Sequence, residues 1–144
     1  MKRHVRVSLT ILMVSAALIG MTTKPKDEIT IPKENFKVSI IDQDGVRTDG
    51  TNVTFNEYTF LSVKKGTMDV YIPFERLKGF EVVSIRDDQI EIEITLTDSS
   101  QYRVNGNPGD KVTGEAGFGQ FRIELRHIRT FLIEQILPTA TANR

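Results

Sequence analysis

From residue 36 onward, apolar and polar side chains alternate in short runs, and turn residues separate the runs. The clearest run is Ile90–Leu96, where Ile90, Ile92, Ile94 and Leu96 fall on one face and Glu91, Glu93 and Thr95 on the other. Phe36–Ile41 alternates in the same way and meets Asp42-Gln43-Asp44-Gly45, a tight-turn sequence. Val53–Phe55 and Tyr58–Val63 are rich in β-branched and aromatic residues, and Lys64-Lys65-Gly66 ends them. Met68–Phe74 places Val70, Ile72 and Phe74 on one face. Asp98-Ser99-Ser100 predicts a turn, Gln101–Val104 a returning strand, and Gly106–Asp110 a loop. Helical signal is confined to Phe74–Gly79 and Leu125–Arg129, each long enough for one turn. Short strands with turn residues every eight to twelve positions predict a mostly β domain, a small barrel or sandwich.

The runs repeat. A shift of 51 residues lays Gly66–Val82 over Gly117–Ile133, so that Gly66 falls on Gly117, Ile72 on Ile123 and Phe80 on Phe131. Val70, Phe74, Leu77 and Val82 fall on Phe121, Leu125, Ile128 and Ile133, while Arg76 and Lys78 meet His127 and Arg129. Each copy predicts a strand, a one-turn corner that buries Leu77 or Ile128, and a second strand starting at the aromatic. Upstream, the hairpin Phe36–Gly50 corresponds to Ile92–Gly106 at a different offset. Two pseudo-repeated half-units are therefore expected, at about 36–84 and 90–134. Gly117-Phe-Gly-Gln-Phe-Arg-Ile-Glu-Leu-Arg-His-Ile-Arg-Thr-Phe131 resembles a short β-module of exported bacterial proteins, with the pattern G-x-F-G-x-F-x-I-x-L-x-x-I-x-x-F. Lys65–Phe80 is a looser copy, with Met68 in place of the second glycine. That resemblance implies no activity, and it assigns no catalytic residues.

The first 23 residues have a different character. Lys2, Arg3 and Arg6 precede an uncharged, mostly apolar stretch from Val7 to Thr23, the pattern of a secretory signal. An N-terminal hydrophobic helix is expected here, either a signal peptide or a signal anchor, with small residues for cleavage at Ser15-Ala16-Ala17 and near Gly20. Residues 24–35 read as a linker, 36–134 as the β domain and 135–144 as a flexible tail. The whole chain balances 19 basic against 19 acidic residues, and setting the leader aside leaves 16 against 19. The absence of cysteine excludes a disulfide framework, a thiolate nucleophile and a cysteine-bound metal. An exported chain of this composition must be held together by packing alone.

Candidate chemistry is sparse. His127 is the one histidine beyond the leader, and the repeat sets it at a polar corner opposite Arg76. Glu91 and Glu93 share the outer face of a strand, where paired carboxylates could act on a glycan or simply protect an edge. Asp42, Asp44 and Asp49 around Gly45 lack the order of a calcium loop and predict a hairpin turn instead. Gly114–Gly119 superficially resembles a phosphate loop, yet a strand follows it, which favours a close approach where Phe118 and Phe121 pack. Asn52-Val53-Thr54 matches a glycosylation sequon. No catalytic, cofactor-binding or metal-ligating set is expected, and the mildly acidic exported part disfavours nucleic acid.

Arg122, Arg126, His127 and Arg129 form a local basic run, and the Arg122/Arg126 face and the Gly106–Asp110 loop are the candidate contacts for a partner. The expected function is that of a non-catalytic, exported binding or assembly module in the periplasm, at the cell surface or outside the cell. Its partners would be envelope proteins or a second copy, and it would touch a membrane only through residues 5–23 if these are retained. A small hydrolase acting on glycans through Asp/Glu pairs, with Glu91, Glu93, Asp98 and Asp110 as its candidate carboxylates, and a membrane-tethered subunit of an envelope complex are the alternatives.

Overall fold

The computed structural model describes residues 35–138. The expected leader, most of the linker and the last residues of the tail lie outside them. Ten strands run in chain order: β1 (Asn35–Asp42), β2 (Arg47–Phe55), β3 (Phe60–Lys65), β4 (Met68–Pro73), β5 (Leu77–Ile85), β6 (Ile90–Leu96), β7 (Gln101–Gly106), β8 (Lys111–Ala116), β9 (Gly119–Glu124) and β10 (Ile128–Leu137). Single 3-10 turns at Phe74–Arg76 and Leu125–His127 join β4 to β5 and β9 to β10. Both fall where one-turn corners are expected. Among the described residues no helix is long and apolar enough to cross a membrane.

The strands form one antiparallel sheet in the order β4-β3-β7-β6-β5-β10-β1-β2-β8-β9, curled into a half-barrel. The mostly β class is as expected, but the sheet neither closes into a barrel nor splits into a sandwich. It stays open, with β4 and β9 at its edges. Three features of the pattern also differ in detail. β2 is one continuous strand that absorbs Val53–Phe55. β10 runs three residues beyond 134, because Asn35 pairs with Leu137. The Asn35 end of β1 likewise reaches into the linker.

Exchanging β1–β5 for β6–β10 reverses the strand order onto itself. The centre of that exchange is the β5–β10 pair, where Phe80 lies opposite Phe131. Their rings stack at 4.9 Å with an interplanar angle of 7°. Gly79 pairs with Leu132 and Glu81 with Thr130, so the register is two-fold about the aromatic pair. The outer hairpins are exchanged as well: β3–β4 lies against β7, and β8–β9 against β2.

Hydrogen bonds fix the offsets. In the first hairpin turn Asp42 N donates to Val46 O and Gly45 N to Asp42 O; in the second, Leu96 N donates to Ser100 O and Ser99 N to Leu96 O. Gly45 (φ 84°) and Ser99 (φ 70°) occupy the same left-handed position. The hairpins therefore correspond at 54 residues, matching Phe36–Gly50 to Ile90–Val104, two residues from the match that apolar pattern suggests. A slip of two leaves every side chain on its own face, so periodicity cannot detect it. Beyond the second strand of each half the offset becomes 51, because Phe74 N donates to Thr59 O as Leu125 N does to Asp110 O.

The core fills the concave face. Phe36, Val38 and Ile40 of β1, Ile90, Ile92 and Ile94 of β6, and Leu77, Phe80, Ile128 and Phe131 around the centre are all buried. Phe74, from the first corner, meets Phe36 edge-on at 5.4 Å and Phe131 at 5.8 Å. Side chains from both halves thus share one core, which no half could complete alone.

Candidate functional site

Of the residues expected to contact a partner, Arg122, His127 and Arg129 lie around the Asp42–Val46 turn, and Arg126 lies apart from it. Arg122 sits on edge strand β9 and lines a shallow hollow of about 200 Å³ with Ile40, Asp42, Val46 and Phe121. Arg126, in the second corner, is paired with Glu124 at 2.7 Å, and its guanidinium stands 3.9 Å from where a Gly109 side chain would begin. His127 is exposed, and its carbonyl accepts from Gln43 N at 2.8 Å. The Arg76 carbonyl accepts from Thr97 N at 2.9 Å in the same way in the other half. The histidine position is thus a backbone corner that docks a hairpin turn. Arg129 lies on β10 with its guanidinium 3.8 Å from where a Gly45 side chain would begin, close to a different loop from that near Arg126. Arg122, Arg126, His127 and Arg129 are all exposed.

Most of the candidate carboxylates are engaged with near neighbours. On the outer face, Arg103 pairs with Glu91 at 2.9 Å and Glu93 at 3.5 Å. Asp98 accepts from the Ser100 hydroxyl and from its backbone N–H at 2.9 Å, and these bonds hold its carboxyl below the usual aspartate range. Asp110 accepts from Asn56 Nδ2 at 2.9 Å and from Asn107 N at 3.3 Å, which shapes the loop between β7 and β8. Asp42 accepts from the backbone N–H groups of Asp44 and Val46, each at 2.9 Å, so the first acidic cluster is an Asx-type turn. The Arg47 guanidinium, 3.0 Å from Asp49, holds that carboxyl low and is itself raised.

Of the Gly114–Gly119 stretch, Gly114 has a packing role, as has Gly50 on β2, whereas a side chain at Gly117 or Gly119 would meet nothing within 4 Å. A methyl on Gly114 would stand 2.7 Å from Phe121 Cζ and 2.9 Å from Val53 Cγ2, and one on Gly50 2.7 Å from Phe121 Cε1. The Phe121 ring therefore lies over two adjacent strands that must both be bare. Phe118, expected to pack with it, is instead 78% exposed. Asn52 adopts a left-handed conformation (φ 51°) in a bulge, and its side chain donates to Glu115 Oε2 at 3.1 Å.

Two surfaces escaped the sequence. On the outer face of the β3–β4 hairpin, Tyr58 stacks on Phe60 at 4.7 Å and Phe60 meets Tyr71 edge-on at 5.6 Å, with Tyr58 and Tyr71 both exposed. The two-residue spacing of Tyr58 and Phe60 was a visible cue, but the place of Tyr71 depends on the register Ser62↔Tyr71. Beside this cluster is a groove of about 400 Å³ between β3 and β7, lined by Ser62, Lys64, Gln89, Asn105, Asn107 and Asp110 among others. Its signal was the difference between the offsets, 54 and 51 residues, which shows that β2 carries three more residues than β7.

A family model described as "Uncharacterised protein" matches residues 32–136. The chain belongs to that family. The match spans the whole ten-stranded sheet except its last residue. No curated protein and no solved structure matches the chain.

Proposed function

We propose that this protein is an exported, non-catalytic binding or assembly module of the bacterial envelope or cell exterior, built from two related half-units. The basic residues before the apolar stretch of Val7–Thr23 support export. The reversible strand order and the two-fold register about Phe80 and Phe131 support the paired half-units. The observation that carries the binding function is the polar groove between β3 and β7 beside the exposed aromatic cluster Tyr58–Phe60–Tyr71. Convergent polar groups next to accessible aromatic rings are what a recognition surface needs.

The carboxylates proposed for glycan hydrolysis give that alternative little support. Glu91 and Glu93 share one arginine on a strand's outer face, Asp98 closes a turn, and Asp110 braces a loop. A glycosidase pair would face across a cleft at roughly 5–10 Å. The test is cross-linking and affinity capture from envelope fractions, with glycan hydrolysis assayed on the purified protein. Saturable, stoichiometric capture of a partner or a second copy is expected. Monomer alone, together with glycan cleavage, would reverse the assignment.

A further inference from the structure

The groove between β3 and β7 has a counterpart in the other half, and there it is filled. The pair Thr51↔Glu115 of β2 and β8 corresponds to Asn105↔Lys64 of β7 and β3. Beyond that pair the halves diverge. β2 inserts Asn52-Val53-Thr54 before Phe55 and pairs again with β8 at Thr54↔Thr113 and Phe55↔Val112. β7 passes directly from Asn105 to Gly106, and among the described residues Lys64↔Asn105 is its one pairing with β3.

The inserted residues bind the positions that correspond to the groove walls. Asn52 N donates to Asn35 Oδ1 at 2.8 Å, and Asn35 corresponds to Gln89. Asn52 Nδ2 donates to Glu115 Oε2 at 3.1 Å, and Glu115 corresponds to Lys64. The Thr54 and Thr113 hydroxyls bond at 2.7 Å, and Thr113 corresponds to Ser62. Gln89, Lys64 and Ser62 all line the groove. One half of the protein therefore displays, built from its own chain, an occupant for the space left open in the other.

We propose that the β3–β7 groove binds an extended peptide segment of a partner polypeptide, seated as Asn52–Thr54 is seated in the opposite half. The chemistry of the walls specifies it. Lys64 stands where Glu115 does, so the first position presents an acceptor, the side-chain oxygen of Asn or Asp, instead of an amide donor. Val63 stands where Gly114 leaves room for Val53, so the middle residue is small, Ala or Gly. Ser62 replaces Thr113 and accepts a Ser or Thr hydroxyl at the third position. Ser62 and its neighbours in β3 lack partners in β7 among the described residues, so main-chain pairing is available to the peptide, as in strand addition generally. This inference rests on the binding function proposed above and narrows it to one site and one ligand class.

The probe is the capped peptide Gly-Thr-Asn-Ala-Thr-Phe-Asn, which is residues 50–56 with Ala in place of Val53, titrated at millimolar concentration into isotope-labelled full-length chain. Saturable backbone amide shifts are expected at Ser62, Lys64, Gln89 and Asn105, with a scrambled peptide about tenfold weaker or worse. Ser62→Arg, on an accessible strand face, should abolish the shifts while leaving the rest of the spectrum unchanged. A second variant, with Asn-Ala-Thr inserted between Asn105 and Gly106, should fold, fill the groove and also abolish them. Absent or unsaturable shifts, equal shifts with the scrambled peptide, or shifts at these amides from an N-acetylated oligosaccharide alone would overturn the proposal. A partner captured from the envelope whose cross-links avoid these residues would overturn the groove assignment and leave the binding function standing.

Discussion

Replacing Gly114 by alanine tests how the two halves fill equivalent space with different side chains. In one half Phe121 lies over Gly50 and Gly114; the corresponding residues in the other are Val70, Val104 and Val63. A large ring over two bare strands is thus exchanged for three medium side chains. The new methyl of Gly114→Ala would stand 2.7 Å from Phe121 Cζ, 2.9 Å from Val53 Cγ2 and 3.0 Å from Phe121 Cε1. The ring must move, and Val53, fully buried beside it, must give as well. Overpacking of this kind costs about 1–3 kcal/mol. For a domain of this size each kcal/mol lowers Tm by roughly 4–8 °C. Phe121→Ala alone should cost about 2 kcal/mol, less than the ~3–5 kcal/mol of a fully buried Phe, because Phe121 is only partly buried. In the Phe121→Ala background the same Gly114→Ala change should cost about 1–2 kcal/mol less, since both ring contacts are gone and only the 2.9 Å contact with Val53 Cγ2 remains. Urea unfolding of the wild type, both single variants and the double variant measures the coupling, expected at about 1–2 kcal/mol. Costs that add to within ~0.5 kcal/mol would refute the contact.

Other expectations follow from the same geometry. Phe131→Ala, at the stacked centre, should cost about 3–5 kcal/mol and unfold both halves in one transition, because their cores interleave; two separate calorimetric transitions would contradict this. Thr54→Val leaves the buried Thr113 hydroxyl without its partner and should cost about 1–3 kcal/mol, whereas Thr54→Val with Thr113→Val should recover most of that in a denaturant titration. Carboxyl NMR titration should place Asp49 and Asp98 below the ordinary aspartate value of about 3.9. Their folded pKa values are depressed, so their contribution to stability is present above the ordinary value and fades as pH falls through the folded one. Arg47→Ala should return Asp49 toward the ordinary value and leave Asp98 unchanged; equal movement of both would show that the shifts have another cause.

Much of the fold was legible because alternation is strong where one face is buried. Ile90–Leu96 shows it most plainly, with Ile90, Ile92 and Ile94 inside and Glu91 and Glu93 outside. The corners were legible too, since Phe74 and Leu125 recur at the same place in the pattern. Strand order was not. Nothing in the periodicity of β3 says that it lies beside β7 instead of β2, because hairpin exchange leaves every burial pattern unchanged. The slip of two residues between the hairpins was hidden for the same reason, and only the backbone bonds of the Asp42–Val46 and Leu96–Ser100 turns expose it. At the level of the site, the basic run looked like one surface because its residues are close in sequence. The second corner turns Arg126 toward Gly109, away from the Asp42–Val46 turn that Arg122 and Arg129 flank. The groove was hidden because it is formed by three residues that β7 lacks, and Asn52-Val53-Thr54 read as a sequon or a strand fragment before its packing was known.

Site-specific photo-cross-linking in intact cells tests the binding function most directly. A photoreactive side chain would replace Asp88 at the rim of the groove, Arg122 on β9 or Glu81 on the central strand β5, one position at a time. A discrete adduct of one mass from Asp88, with little from Glu81, is the predicted result. An adduct from Arg122 alone would move the contact to the β9 face, and monomer at every position, with glycan cleavage by the purified protein, would contradict a binding module altogether.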